Sequence, residues 1–264
     1  MINILVCIST LMAWLEQNEC LQQFIQKLWR WDATDGYQKV LDIYSSWWSA
    51  IVNFAYFAVL VKWGLLDDNC TDFGKQFLEA DIIFPDGIAL NLWAKKYLKQ
   101  GLANLNGDDF LRWFFKWLDQ QGIDYKVIGY WGKDDAQLIQ KTKQEFQKIS
   151  KKWFEKFFHW YQDLPWNEFE KLKEFDGLKF LVQSRWWPQE KRSLDNRDKI
   201  KEWGFVVFNV WWLFDHRWWA EPRPPKLLQK AKLEWLRRAI IDPKKNRPKV
   251  KDSLRVFVEL LKRG

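Results

Sequence analysis

Apolar and polar positions alternate along this chain in runs that predict helices first and strands later. Up to residue 84 the apolar positions recur at helical spacing, predicting helices over Leu11–Trp31 and Tyr37–Trp63. Between them, Asp32-Ala-Thr-Asp-Gly36 supplies a helix stop and fresh N-cap oxygens. Trp47–Val61 is the most hydrophobic stretch, interrupted by Ser49 and Asn53. It is shorter than the roughly 20 residues of a bilayer span, so it predicts the buried central helix of a water-soluble domain. Gly64 then ends that helix, Leu65–Leu66 makes a short strand, Asp67–Asn69 turns it, and Thr71 or Asp72 caps a helix through Leu78.

From Asp81–Asp86 onward the pattern becomes mixed. Pro85-Asp86-Gly87 predicts a turn, followed by a helix over Ile88–Leu105. Asn106 caps a helix over Phe110–Gln121, whose Phe110, Trp113, Phe114 and Trp117 form a core-facing aromatic stripe. Ile123–Trp131 alternates like a strand, and Asp134–Tyr161 reads as a long helix. Leu178–Trp187 is a strand broken by Pro188, Ser193 or Asp195 caps a helix to Trp203, and Phe205–Phe214 is a second strand. A strand–helix–strand unit of this length predicts parallel strands with a right-handed crossover. Pro222–Pro225 is a rigid linker, after which come an amphipathic helix, a basic turn over Asp242–Lys251 and a final helix. The expected architecture is mixed α/β, divided into residues 1–84, an α/β domain over 85–221 and a basic helical extension over 222–264.

Charge sharpens this division. The formal net charge is +8, but residues 1–100 carry −3, residues 101–184 are neutral and residues 185–264 carry +11. Such a segment favours polyanions, an acidic protein or membrane surface, or simple solubility. Aromatic residues reach 18%, with 21 Trp, enough to build a large core or to cover a partner. Cys7, Cys20 and Cys70 are odd in number and lack C-x-x-C spacing, which argues against zinc and a disulfide framework and for a reducing, cytoplasmic setting. Met1–Leu15 is apolar without the basic start of a signal peptide. His159 and His216 lie among aromatic neighbours and read as packing or surface residues, and neither a glycine-rich phosphate loop nor a G-x-S-x-G motif occurs.

Two local patterns resemble known folds. Gly64, Leu65, Leu66, Thr71, Gly74, Phe77 and Leu78 resemble the end of a winged-helix domain. Because that block is acidic and its groove helix apolar, the resemblance implies an interaction or scaffold module rather than a DNA reader. Asp176-Gly-Leu-Lys-Phe-Leu-Val-Gln183-Ser-Arg185, followed by Gly204-Phe-Val-Val207, resembles the core of the PD-(D/E)XK nucleases. That resemblance implies a DNA-binding, metal-dependent endonuclease with Asp176 and Gln183 holding Mg²⁺ and Arg185 in the lysine position. Glu168, Glu170 and Glu174 would be nearby acids. Lys191, Arg192, Lys244, Lys245, Arg247, Lys249 and Lys251 would hold phosphates of a nucleic-acid partner. The alternative is a Trp-rich, non-enzymatic subunit of a large assembly.

Overall fold

The computed structural model describes residues 18–28, 32–57, 60, 63–65, 70–131, 136–148, 150, 152, 156–158, 166–184, 189–210, 240 and 251. Helices α1 (Glu19–Lys27) and α2 (Ala33–Trp47) precede strand β1 (Ala50–Tyr56), and α3 (Asp72–Leu78) leads to β2 (Ile82–Asp86). Next come α4 (Ile88–Tyr97), α5 (Gly107–Gln120), β3 (Tyr125–Trp131), α6 (Ala136–Gln147) and β4 (Lys156–Phe158). The short α7 (Trp166–Phe169) precedes β5 (Leu178–Ser184), α8 (Gln189–Asp195), α9 (Arg197–Trp203) and β6 (Phe205–Asn209). All six strands are parallel, in the order β2-β1-β6-β5-β3-β4. The mixed α/β expectation holds.

Local chemistry explains most element ends. Asp32 accepts from the Asp35 amide (2.9 Å) to start α2, and Thr71 accepts from the Gly74 amide (3.1 Å) to start α3, as expected. Gly74 is required by close approach, because a Cβ there would lie 2.5 Å from the Trp63 carbonyl oxygen. Gly204, at φ 67, ends α9 in the left-handed region and releases the chain into β6. Cys20 pairs with Cys70, their Cα atoms 5.6 Å apart, tying α1 to the turn before α3. The cysteine count and spacing, which argued against a disulfide framework, did not anticipate this pairing.

The apolar run at 47–61 corrects the sequence reading. Its residues do not continue a helix from Tyr37: α2 stops at Trp47, Trp48 takes φ 57, and Ala50–Tyr56 becomes a strand. β1 lies between β2 and β6 and is buried on both faces. A central parallel strand is therefore as continuously apolar as a buried helix, and periodicity cannot separate the two. With this strand paired to β2 and β6, the winged-helix order is not formed. β2 also spans the division expected at residue 84, so strands from both sides share one sheet. The expected long helix from Asp134 gives way to α6 and β4, and the helix after Ile88 ends at Tyr97.

The sheet separates two apolar layers. Ile51, Ala55, Ile128, Leu181 and Val207 pack against α1, α3, α4, α7 and α9. Val52, Phe54, Val127, Phe180 and Phe208 pack against α2, α5 and α6. Helices α3, α7 and α9, in connections running toward β2, thus cover one face, and α5 and α6, in connections running toward β4, cover the other, as right-handed crossovers require. On α5, Phe114 and Phe115 meet Phe180 edge-on at 5.5 and 5.2 Å, while Trp113 of the expected stripe is exposed beneath Lys116. The basic extension lies outside the described residues except for Ile240 and Lys251. Among the described residues no helix is long and apolar enough to cross a membrane.

Candidate functional site

Parallel strands end in loops that lead into helix N-termini, so their carboxyl edge gathers backbone donors and is where open α/β sheets bind ligands. Here β3 proceeds outward to β4 while its neighbour β5 turns back to β6, which opens a switch point between them. Four polar side chains lie in one register row near that edge: Asn53 of β1, Asn209 of β6, Gln183 of β5 and Tyr130 of β3. All four are fully buried. Alternation along each strand puts them on one face, beneath α8.

The row is joined through α8. Asn209 donates from Nδ2 to Asn53 Oδ1 (2.8 Å), and Ser193 donates from Oγ to Asn209 Oδ1 (2.8 Å). Gln183 donates from Nε2 to Ser193 Oγ (2.7 Å). Among the described residues the buried Gln183 Oε1 atom has no hydrogen-bond partner, which leaves one acceptor unsatisfied near this edge. Arg192 donates from Nη1 to the Tyr130 hydroxyl (2.6 Å). Gln189 and Glu190, at the start of α8, are also buried, with Gln189 Nε2 donating to Glu190 Oε1 (3.3 Å).

A second polar element lies at the carboxyl end of β2. Asp86 accepts at Oδ1 from Asn106 Nδ2 (3.1 Å), and Asn106 Oδ1 in turn accepts from the Asp108 amide (3.1 Å) to cap α5. The Gly87 amide donates to Asn104 Oδ1 (2.7 Å), and the Leu105 amide to the Pro85 carbonyl (2.8 Å). Two asparagines therefore grip the Asp86–Gly87 turn. Gly87 has φ 92, caps α4 without a side-chain hydrogen bond, and would expose a Cβ to open space. The turn was legible in the sequence; its carboxylate as a site residue was not. An acid directly before a helix-starting glycine at a strand end was the available signal.

Of the residues expected to form a nuclease site, the two described ones, Asp176 and Gln183, lie apart. Asp176 precedes β5 and is exposed, whereas Gln183 is near the opposite end of the same strand. Seven residues of strand separate them by roughly 23 Å. Glu170 and Glu174 are exposed before β5, and Glu168 is in α7. Lys191 is half-buried and paired with Asp195 (2.6 Å), and Lys251 is exposed. Arg185, Lys244, Lys245, Arg247 and Lys249 lie outside the described residues. Among the described residues no group of three or more His, Cys, Asp or Glu side chains is arranged to hold a metal.

Asp176 instead borders an open groove at the amino edge of the sheet. It is lined by Tyr44, Trp47 and Trp48 at the end of α2 and by Phe175–Lys179 and Lys201–Gly204, with the Lys201 ammonium 5.8 Å over the Trp47 ring. Burial, reinforced by the Asp176 charge, raises the Tyr44 phenol above its ordinary pKa. Burial lowers Lys179, and the attraction of Asp176 partly offsets it.

Residues 37–264 match the glycosyl transferase WecG/TagA/CpsF family. No curated protein matches the chain. With more than four-fifths of its length inside that match, the chain belongs to the WecG/TagA/CpsF family of glycosyl transferases. This overturns the PD-(D/E)XK resemblance, and with it the DNA-binding endonuclease function and the nucleic-acid partner; the non-enzymatic subunit reading is also unsupported. The physical reason is that a parallel strand–helix–strand unit is common to α/β folds, so a short pattern within it identifies no chemistry.

Proposed function

Proceeding from membership in this glycosyl transferase family, we propose that the carboxyl edge of the sheet transfers a glycosyl group from an activated, phosphate-linked sugar donor to an acceptor hydroxyl. The observation that carries this reading is the Asp86–Gly87 turn, clamped by Asn104 and Asn106 at the start of α4. Glycosyl transfer needs a group to take the acceptor proton and a field that stabilises the departing phosphate. Asp86 is the candidate base. The first turn of α4, which has no side-chain cap, offers N–H groups and the positive end of a helix dipole to the leaving group.

Arg192 has a separate role in this reading. Its guanidinium is bonded to the buried Tyr130 hydroxyl and stacks 5.7 Å from that ring's centroid, so it holds α8 over the row. The cytoplasmic setting expected from the sequence remains part of the proposal and is tested by cell fractionation. Activity is tested by incubating the full chain with a panel of nucleotide-activated sugars and hydroxyl acceptors. Asp86→Asn keeps the shape of the turn but removes the base. It is expected to lower kcat at least about 100-fold, in line with general-base contributions, with little change in melting temperature. Wild-type turnover in this variant would reject Asp86 as the base.

A further inference from the structure

The amino-edge groove takes no part in the reaction proposed above, because it opens at the other end of the strands from Asp86 and α8. We propose that it is a second carbohydrate site, holding a neutral or amino-bearing oligosaccharide against the ring of Trp48. The Trp48 ring is 69% exposed. Its backbone nevertheless occupies the left-handed region, φ 57 and ψ 12, held by an N–H donated to the Tyr44 carbonyl (2.6 Å). Bulky residues rarely adopt that conformation, and such positions cluster at ligand clamps. The cost would be relieved by glycine, so the indole stands at a place whose backbone disfavours it. Beside it, Trp47 is also 62% exposed and lines the same groove, with the Lys201 ammonium over its ring, so the proposal rests on Trp48.

The charges of the lining say which ligand suits that platform. The groove is lined by five carboxylates and three ammonium groups, a net negative balance. A phosphate, a nucleotide or an anionic lipid surface is repelled by such a lining. A sugar ring is not: its C–H face stacks on an indole, and its hydroxyls donate to carboxylates and accept from lysines. Asp176 and Lys179 stand at the start of β5 within the same groove, near enough to Tyr44 for the Asp176 charge to reach both groups. An ammonium-bearing sugar gains the further attraction of the net charge. The choice of a glycan over another neutral ring compound rests on the glycosyl-transfer reading, which brings that chemistry to this protein.

Calorimetric titration of the full chain tests the assignment with three probes: triacetylchitotriose, its deacetylated amino form, and phosphatidylglycerol vesicles. Binding of either trisaccharide is expected, weakened at least about tenfold by Trp48→Gly, which removes the platform while suiting the positive φ. Trp48→Tyr is expected to bind with intermediate strength. Asp86→Asn is expected to bind the trisaccharide as the wild type does, which separates this groove from the transfer site. Failure of the carboxyl-edge reading would appear as undiminished transfer by Asp86→Asn. Failure of the present proposal would appear as no trisaccharide binding, binding undiminished in Trp48→Gly, loss of binding in Asp86→Asn, or a Trp48-dependent preference for the vesicles.

Discussion

The two ends of this parallel sheet solve opposite problems with different residues. At the carboxyl edge, Asn53, Asn209, Gln183 and Ser193 are uncharged, buried and bonded to one another. At the amino edge, Asp176, Lys179, Lys201 and Trp48 line an open groove, and the contacts among such charges are screened by solvent. Charged groups announce themselves in a sequence, while neutral amides look like interruptions of a strand. The difference teaches that side chains with the largest electrostatic signature need not be the ones that organise a site.

That contrast can be broken most directly at Asn209. Replacing it with Ala strands the Asn53 Oδ1 acceptor in a buried layer and leaves the Ser193 hydroxyl only the Gln189 carbonyl (3.2 Å) to donate to. The expected loss is roughly 1–3 kcal/mol, from the cost of an unsatisfied buried polar group. Urea denaturation measures it, and a loss below about 0.5 kcal/mol would mean that the row does not bear on stability.

The corresponding change at the other edge should be nearly silent. Asp176→Asn removes an exposed carboxylate, so stability is expected to move by no more than about 0.5 kcal/mol. A loss comparable with that of Asn209→Ala would erase the distinction between the edges.

The smallest expected effect is electrostatic. Tyr44 is raised above its ordinary pKa by burial and then by Asp176, so Asp176→Asn should bring its titration back toward 10 without fully restoring it. The raised value favours the neutral phenol in the folded state. Its stabilising contribution is therefore complete below the unfolded pKa and is lost as pH rises through the folded one. Lys179 should move lower still in the same variant, because it loses the attraction that offsets its burial. Resonances of Tyr44 and Lys179 followed by NMR across alkaline pH check both signs; unmoved titrations would remove Asp176 from their surroundings.

Much of the fold was legible where one residue sets the backbone. Thr71, Asn106 and Gly204 marked helix ends through their own hydroxyl, amide or missing side chain, and Leu178 and Phe205 opened strands rich in Val and aromatics. β1 was not legible, because a strand buried on both faces has no alternation to show. The candidate site was harder for a related reason. Spacing along β5 puts Asp176 and Gln183 in one motif, but strand length sends them to opposite edges. Asn53 and Asn209 are far apart in the chain, and only the order of strands makes them neighbours.

That strand order also dictates a timetable for synthesis. β1 pairs with β6, and the Asn209-to-Asn53 hydrogen bond spans 156 positions of chain. A ribosome delivers residues from the N-terminus onward, so β1 emerges with one flank ready for β2 and the other awaiting a strand made much later. Until residues 205–209 leave the exit tunnel, the middle of the sheet has an open edge, the state in which apolar strands are exposed to mispairing and to chaperones. The insertion of β6 closes that gap and completes the amide row in one event, so a nascent chain acquires its organised carboxyl edge late, after its outer strands have already been made.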